Sequence, residues 1–198
     1  MEALKKRIRE EAKNQGSGIL NVAGFVNHRI DAPLIFECAC RFASIFRSAN
    51  SGPTVVLTAE TSGIGPGLLT ASLLSVDLLF ARKKIPITMT GQIYKTSAPL
   101  HTKESEVMLA VSGDQLGTAD RVLIIDDFLA TGKTIAALVR IVKQAEAELL
   151  GIGALIEKSF EGGRKLLRTK VSTNTPIVSL ATIERIDPQP GREIVIAN

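Results

Sequence analysis

Apolar and polar positions follow two rhythms along the chain. Short apolar runs bounded by turns stand at 54–58 (TVVLT), 77–81 (DLLFA), 107–111 (VMLAV), 121–126 (RVLIID), 152–156 (IGALI) and 177–180 (IVSL). They read as buried strands. Between the fourth and fifth runs, Ile135, Leu138, Ile141, Val142, Ala145 and Leu149 recur at helical spacing, which predicts a helix over 133–150. Strands alternating with helical patterns predict a parallel sheet covered by helices, an α/β architecture. Leu4, Ile8 and the segment 34–46 predict N-terminal helices packed at one end of that sheet, within a single domain spanning 1–198.

Composition narrows the class. With 45% hydrophobic residues in 198 and no run of 18 apolar ones, the chain reads as soluble, and MEALKKRIREEAK lacks the apolar stretch of a signal peptide. A cytoplasmic location and no membrane partner are expected. Cys38 and Cys40 lie two apart in a predicted helix, point to different sides, and are expected to be buried free thiols. His28 and His101 lack partners at metal-ligand spacing.

The net charge of +4 is small but unevenly placed: Arg82, Lys83, Lys84, Lys95 and Lys103 fall in one stretch without an acid and with few helix or strand signals. Such a stretch suits either an anion-handling loop or a solvated one. Nucleic acid is a poor match for the anion, because Tyr94 is the stretch's only stacking ring and no nucleic-acid motif is present.

The chemistry concentrates in VLIIDDFLATGKT, 122–134. Its Gly-Lys-Thr ending imitates a Walker A loop, but Asp127 stands where that loop needs its first glycine. In a parallel sheet, ligands bind at the carboxyl ends of strands, where Asp126 and Asp127 are expected. Two adjacent carboxylates accept hydrogen bonds from vicinal hydroxyls, as on a ribose. Ala130, Thr131, Gly132, Lys133 and Thr134 offer backbone amides, hydroxyls and a helix N-terminus to a phosphate monoester. The ligand predicted is a ribose bearing a 5-phosphate. Glu60, Thr61, Ser62 and Gly63 form a hydroxyl-rich turn that suits either a pyrophosphate or an ordinary strand-to-helix connection.

That segment resembles the signature of the type I phosphoribosyltransferases: four apolar residues, two acids, a short spacer, then Thr-Gly and small or hydroxyl residues. Within that family the chain resembles the bacterial xanthine-specific branch over nearly its full length. The resemblance rests on MEALKKRI at the start, Phe25, Asn27-His28, Ile30-Asp31, Ser62-Gly63-Ile64, FARK at 80–83, AVSG at 110–113 and IEKSF at 156–160. It departs at 16–24, 37–44 and after Glu184.

The resemblance implies a type I phosphoribosyltransferase fold, a central mostly parallel sheet flanked by helices with a small hood formed largely by N-terminal and C-terminal segments. It implies that Asp126 and Asp127 hold the ribose hydroxyls of phosphoribosyl pyrophosphate, that residues 130–134 hold its 5-phosphate, and that Leu20, Asn27 and Lys158 form the purine pocket. Thr61, Ser62, Gly63, Arg82 and Lys83 are assigned to the pyrophosphate, the last two across the boundary of a homodimer, with Mg2+ carried in on the substrate rather than by protein ligands.

The residues themselves fit these roles. Lys158 ends an apolar run and reaches the edge of the acid pair, where its charge favours an acidic base such as a dioxopurine, and Asn27 both donates and accepts. Taken alone, the two suit a solvated lysine and a loop-ordering asparagine better than a pocket. Ala130 stands where the hypoxanthine-guanine enzymes carry an aspartate. Two alternatives stay open: a transferase for another purine, and a regulator that keeps the site as a phosphoribosyl pyrophosphate sensor, for which the segment before Leu20 is short.

Overall fold

The computed structural model describes residues 1–48, 51–99 and 106–197. Six strands build the central sheet in the order β10 (Ile194–Ile196), β9 (Ile177–Ile186), β8 (Glu148–Lys158), β7 (Arg121–Leu129), β3 (Val55–Ala59) and β4 (Asp77–Ala81). All pair in parallel except β10, which lies antiparallel on β9. β3 and β7 are central and nearly continuously apolar, as strands covered on both faces must be.

The pleat divides those side chains between two cores. From β7, Val122 and Ile124 join Leu57 and Ile152 under α4 (Lys133–Gln144). Leu123 and Ile125 join Val56 and Leu155 on the opposite face, under α1 (Glu2–Glu11), α2 (Ala32–Phe46) and α3 (Ile64–Leu74). The N-terminal helices therefore cover a face of the sheet and are not stacked at its end. The reason is the apolar stripe Leu34, Ile35, Cys38 and Phe42 along α2, which finds its complement on a strand surface.

Four further expectations change. The run at 107–111 lies in β6 (Glu106–Ser112), which pairs antiparallel with β5 (Ile93–Pro99) in a separate hairpin. The basic stretch that offered few strand signals thus contains a strand, β5, held by α4: Arg140 Nε donates to Thr96 Oγ1 at 2.8 Å, and Gln144 exchanges two hydrogen bonds with the Lys95 backbone. His101 and Lys103 lie outside the described residues. α4 ends at Gln144, and Leu149 belongs to β8. A left-handed turn at Glu146 separates them, yet the apolar spacing runs on unbroken because the strand begins as apolar as the helix ended. Finally, only Cys38 is a buried thiol, pushed up to about 12 by burial, whereas Cys40 faces outward on α2.

A small hood stands over one end of the sheet. The hairpin of β1 (Lys13–Asn14) and β2 (Leu20–Asn21) meets the stretch after β9 through two backbone hydrogen bonds, Ser17 N to Pro188 O and Gly191 N to Asn14 O, and through one buried side chain. Asn14 donates from Nδ2 to the carbonyls of Asp187 at 2.8 Å and Gln189 at 3.0 Å, and its Oδ1 accepts from Gly16 N at 2.7 Å. A single turn of π-helix, Ala23–Asn27, then leads to α2.

Candidate active site

The strand order reverses between β7 and β3, since the chain leaves β7 toward β8 and β3 toward β4. At such a switch point the following loops part and leave a crevice at the carboxyl ends of the strands. A cleft of about 980 Å³ lies there, lined by residues of the loops after β3 and β7, the end of β8 and the hood.

Asp126 and Asp127 enter it from the carboxyl half of β7, beyond Ile124, the last residue of that strand paired with β3. Backbone amides fix both carboxylates: Asp127 N donates to Asp126 Oδ1 and Phe128 N to Asp127 Oδ1, each at 3.0 Å. Burial, and next the charge of Asp127, raises the Asp126 carboxyl well above the ordinary carboxylate range, while Lys83 acts in the opposite direction. Burial also raises Asp127, against hydrogen bonds from Asp126, nearby backbone and the Asn27 amide. Asn27, at the end of the π-helical turn, is thereby held beside the acid pair.

After β7 the chain turns through Gly132, at φ +75°, into α4. No side chain caps this N-terminus, so its first-turn amides face the cleft with the helix dipole behind them, an arrangement suited to an anion. Ala130, Gly132, Lys133 and Thr134 line the cleft, whereas Thr131 does not.

On the β3 side, Thr61 and Ser62 line the cleft after a cis peptide between Glu60 and Thr61. Gly63 stands behind them because nothing larger fits: a methyl group there would lie 2.0 Å from Thr58 Oγ1 and 2.8 Å from Asp126 Oδ1. The basic pair separates. Lys83 lines the cleft of its own chain, where action on a partner's site was expected of it, and its backbone N–H donates to Glu60 Oε1 at 2.6 Å. Arg82 is not among the lining residues; its guanidinium pairs with Glu60 at 3.3 Å and stacks over Phe80.

The opposite wall carries Leu20 and Lys158. Two of the three ammonium donors of Lys158 are committed, to Gly18 O and to Glu161 Oε1, both at 2.9 Å, and the group lies 5.8 Å from the centre of the Phe128 ring. One donor is left for a ligand. Reading the residues one at a time missed this wall's other members: Glu161, Phe128, Phe160 and the hood residues 17–19. The signal for Glu161 was its position three after Lys158, and for Phe128 its place directly after the acids. The hood loop carried none, because Lys158 and Gly18 meet across 140 residues.

Among the described residues no three His, Cys, Asp or Glu side chains cluster to hold a metal. Two carboxylates do suit an ion that arrives on a substrate's phosphates and keeps most of its water, as Mg2+ does. No helix among the described residues is long and apolar enough to cross a membrane.

Paired acids, a left-handed glycine and an uncapped helix N-terminus thus meet at the switch point of an α/β sheet, an arrangement suited to an anionic ligand. The chain belongs to the phosphoribosyl transferase domain family, whose model matches residues 28–180. Its relatives include the xanthine phosphoribosyltransferases of Pseudomonas entomophila, 42% identical over 94% of this chain and 96% of that one, and of Brevibacillus brevis, 41% identical over 96% and 94%. Among solved structures, the adenine phosphoribosyltransferase of Rhodothermus marinus superposes with a TM-score of 0.71 at 23% identity, covering 92% of this chain and 100% of that one. That of Thermoanaerobacter pseudethanolicus gives 0.68 at 24%, over 90% and 97%. These two likenesses bear on the fold.

Proposed function

We propose that the chain transfers the 5-phosphoribosyl group of phosphoribosyl pyrophosphate to N9 of xanthine, releasing pyrophosphate and forming xanthosine 5'-monophosphate, a purine-salvage reaction. The observation that carries the reading is the meeting, in one cleft, of Asp126-Asp127 and the α4 N-terminus with Asn27 and Lys158. The relatives named xanthine phosphoribosyltransferase support the choice of base.

In this reading the acid pair accepts hydrogen bonds from the ribose hydroxyls, and the amides at 130–134 hold the 5-phosphate. The sugar is thereby anchored at two points with C1 toward the base wall. The C1–oxygen bond breaks, the leaving pyrophosphate is stabilised beside Thr61, Ser62 and Lys83, and N9 forms the new bond with inversion at C1. Mg2+ carried on the pyrophosphate supplies further neutralisation of the leaving group. Ala130 offers no general base, so the proton of the purine passes to water, and the remaining N–H of Lys158 favours the electron-rich form of an acidic base. Phe128 and Phe160 supply apolar faces for the ring.

A homodimer and a cytoplasmic location complete the proposal. Exposed Phe36 on α2, Leu68 on α3 and Ile87 after β4 support a subunit contact, which sedimentation of the purified protein checks. The reaction itself is tested by incubating the protein with Mg2+, phosphoribosyl pyrophosphate and each purine base in turn. Xanthosine monophosphate is expected in excess of every other nucleotide. A preference for adenine or hypoxanthine would move the chain to another branch, and no nucleotide with any base would favour a sensor.

A further inference from the structure

The loop that receives the 5-phosphate does not stand alone. Behind it lies a short helix, α5 (Gly163–Arg168), whose first residue touches the loop backbone. Gly163 N donates to Ala130 O at 3.0 Å. The contact is so close that a methyl group on Gly163 would fall 2.2 Å from Ala130 O and 2.7 Å from Gly132 N, while one on Gly132 would fall 2.8 Å from Gly163 O. Two glycines back to back thus set where the loop's amides point.

The next residue anchors α5. Arg164 reaches across β8 and β9 and pairs through one edge of its guanidinium with the buried carboxylate of Glu157: Nε donates to Oε1 at 2.9 Å and a terminal nitrogen to Oε2. The same guanidinium donates to Ile177 O at 2.7 Å and Ser179 Oγ at 3.1 Å on β9. Burial alone would raise the Glu157 carboxyl, but hydrogen bonds from Arg164 and Ser179 and the charge of Arg164 more than offset it and hold it below the usual range. The carboxylate therefore stays ionised and keeps its planar two-bond grip on Arg164, a geometry lysine cannot copy.

We infer that Glu157 and Arg164 are positioning residues for the 5-phosphate: their ion pair, acting through Gly163, fixes the backbone of residues 130–132 against which the phosphate binds. The inference rests on the phosphoribosyl reading of the cleft. Neither residue lines the cleft, so neither touches substrate. Glu157 directly precedes Lys158 in β8, and the pair therefore divides one strand end between two duties: Lys158 toward the base, Glu157 toward the phosphate loop.

The test compares Arg164→Met, Arg164→Lys and Gly163→Ala with the parent protein in three readouts: the two substrates' KM values, binding of ribose 5-phosphate by calorimetry, and urea unfolding. Displacing the loop is expected to raise KM for phosphoribosyl pyrophosphate and weaken ribose 5-phosphate by about tenfold or more. KM for the base should stay within about twofold, and Arg164→Lys should recover part of the loss. Gly163→Ala removes no partner of the ion pair, so it reports on the loop even if Arg164→Met fails to fold. Unchanged ribose 5-phosphate binding in Gly163→Ala, or equal losses on both substrates, would overturn the inference. Weakened ribose 5-phosphate binding in a protein that makes no nucleotide from any base would instead uphold it and sink the proposed reaction.

Discussion

Asp126 is buried, and burial opposes the charge that its proposed hold on a sugar requires. Its carboxyl is raised, so at neutral pH the folded state carries a strain that the unfolded chain lacks. For an acid with a raised folded value, that penalty is complete above the folded pKa and fades as pH falls through it toward the ordinary value of 3.8. Asp126→Asn should therefore stabilise the ligand-free protein by about 1–2 kcal/mol at pH 7.5, by less at pH 5, and reduce turnover by about a hundredfold or more. Urea unfolding at both pH values checks the first part; equal effects at both would remove the charge argument. At the base wall, Lys158→Ala should reduce kcat/KM for xanthine more than for hypoxanthine, because one donor of its ammonium remains for the base after Gly18 and Glu161 are served. Steady-state rates on the two bases read this directly, and equal losses would take Lys158 out of base recognition.

Elements differ in how far their sequence announces them. β7 and the start of α4 were legible because a buried central strand is apolar throughout, and the acids and Gly132 stop the pattern abruptly. The β5–β6 hairpin was not: an apolar run of five carries no mark of which sheet it joins, and β5 is stabilised by Arg140 and Gln144 of α4, more than forty residues away. The acid pair and the Gly132 turn were legible for the same local reason, and the hood half of the cleft was not, since it exists only through long-range contacts. Its keystone is Asn14, whose buried amide serves the carbonyls of Asp187 and Gln189. Asn14→Ala leaves these unpaired and should destabilise by about 2–3 kcal/mol. Since Ser17 and Leu20 ride on the same hairpin, KM for the base should rise while KM for phosphoribosyl pyrophosphate holds; a uniform rise in both would mean that the hood does not act as a unit.

For the molecule as a whole, the question is whether each cleft is complete within one chain. Lys83 lies in its own chain's cleft, near enough to Asp126 to influence its charge. Coexpressed Asp127→Asn and Lys83→Ala chains should then stay inactive after mixing, because every cleft keeps one lesion. Activity of up to about a quarter of the parent's would be the signature of a lysine working across a subunit boundary in randomly mixed dimers. Within one chain, the cleft draws on distant stretches: one half on residues 126–134, the hood wall on residues 17–20 clasped through Asn14 to 187–192. Trimming the chain from residue 187 onward should thus loosen the hood wall first, since the segment 126–134 keeps its own strand, helix and Gly163 contact.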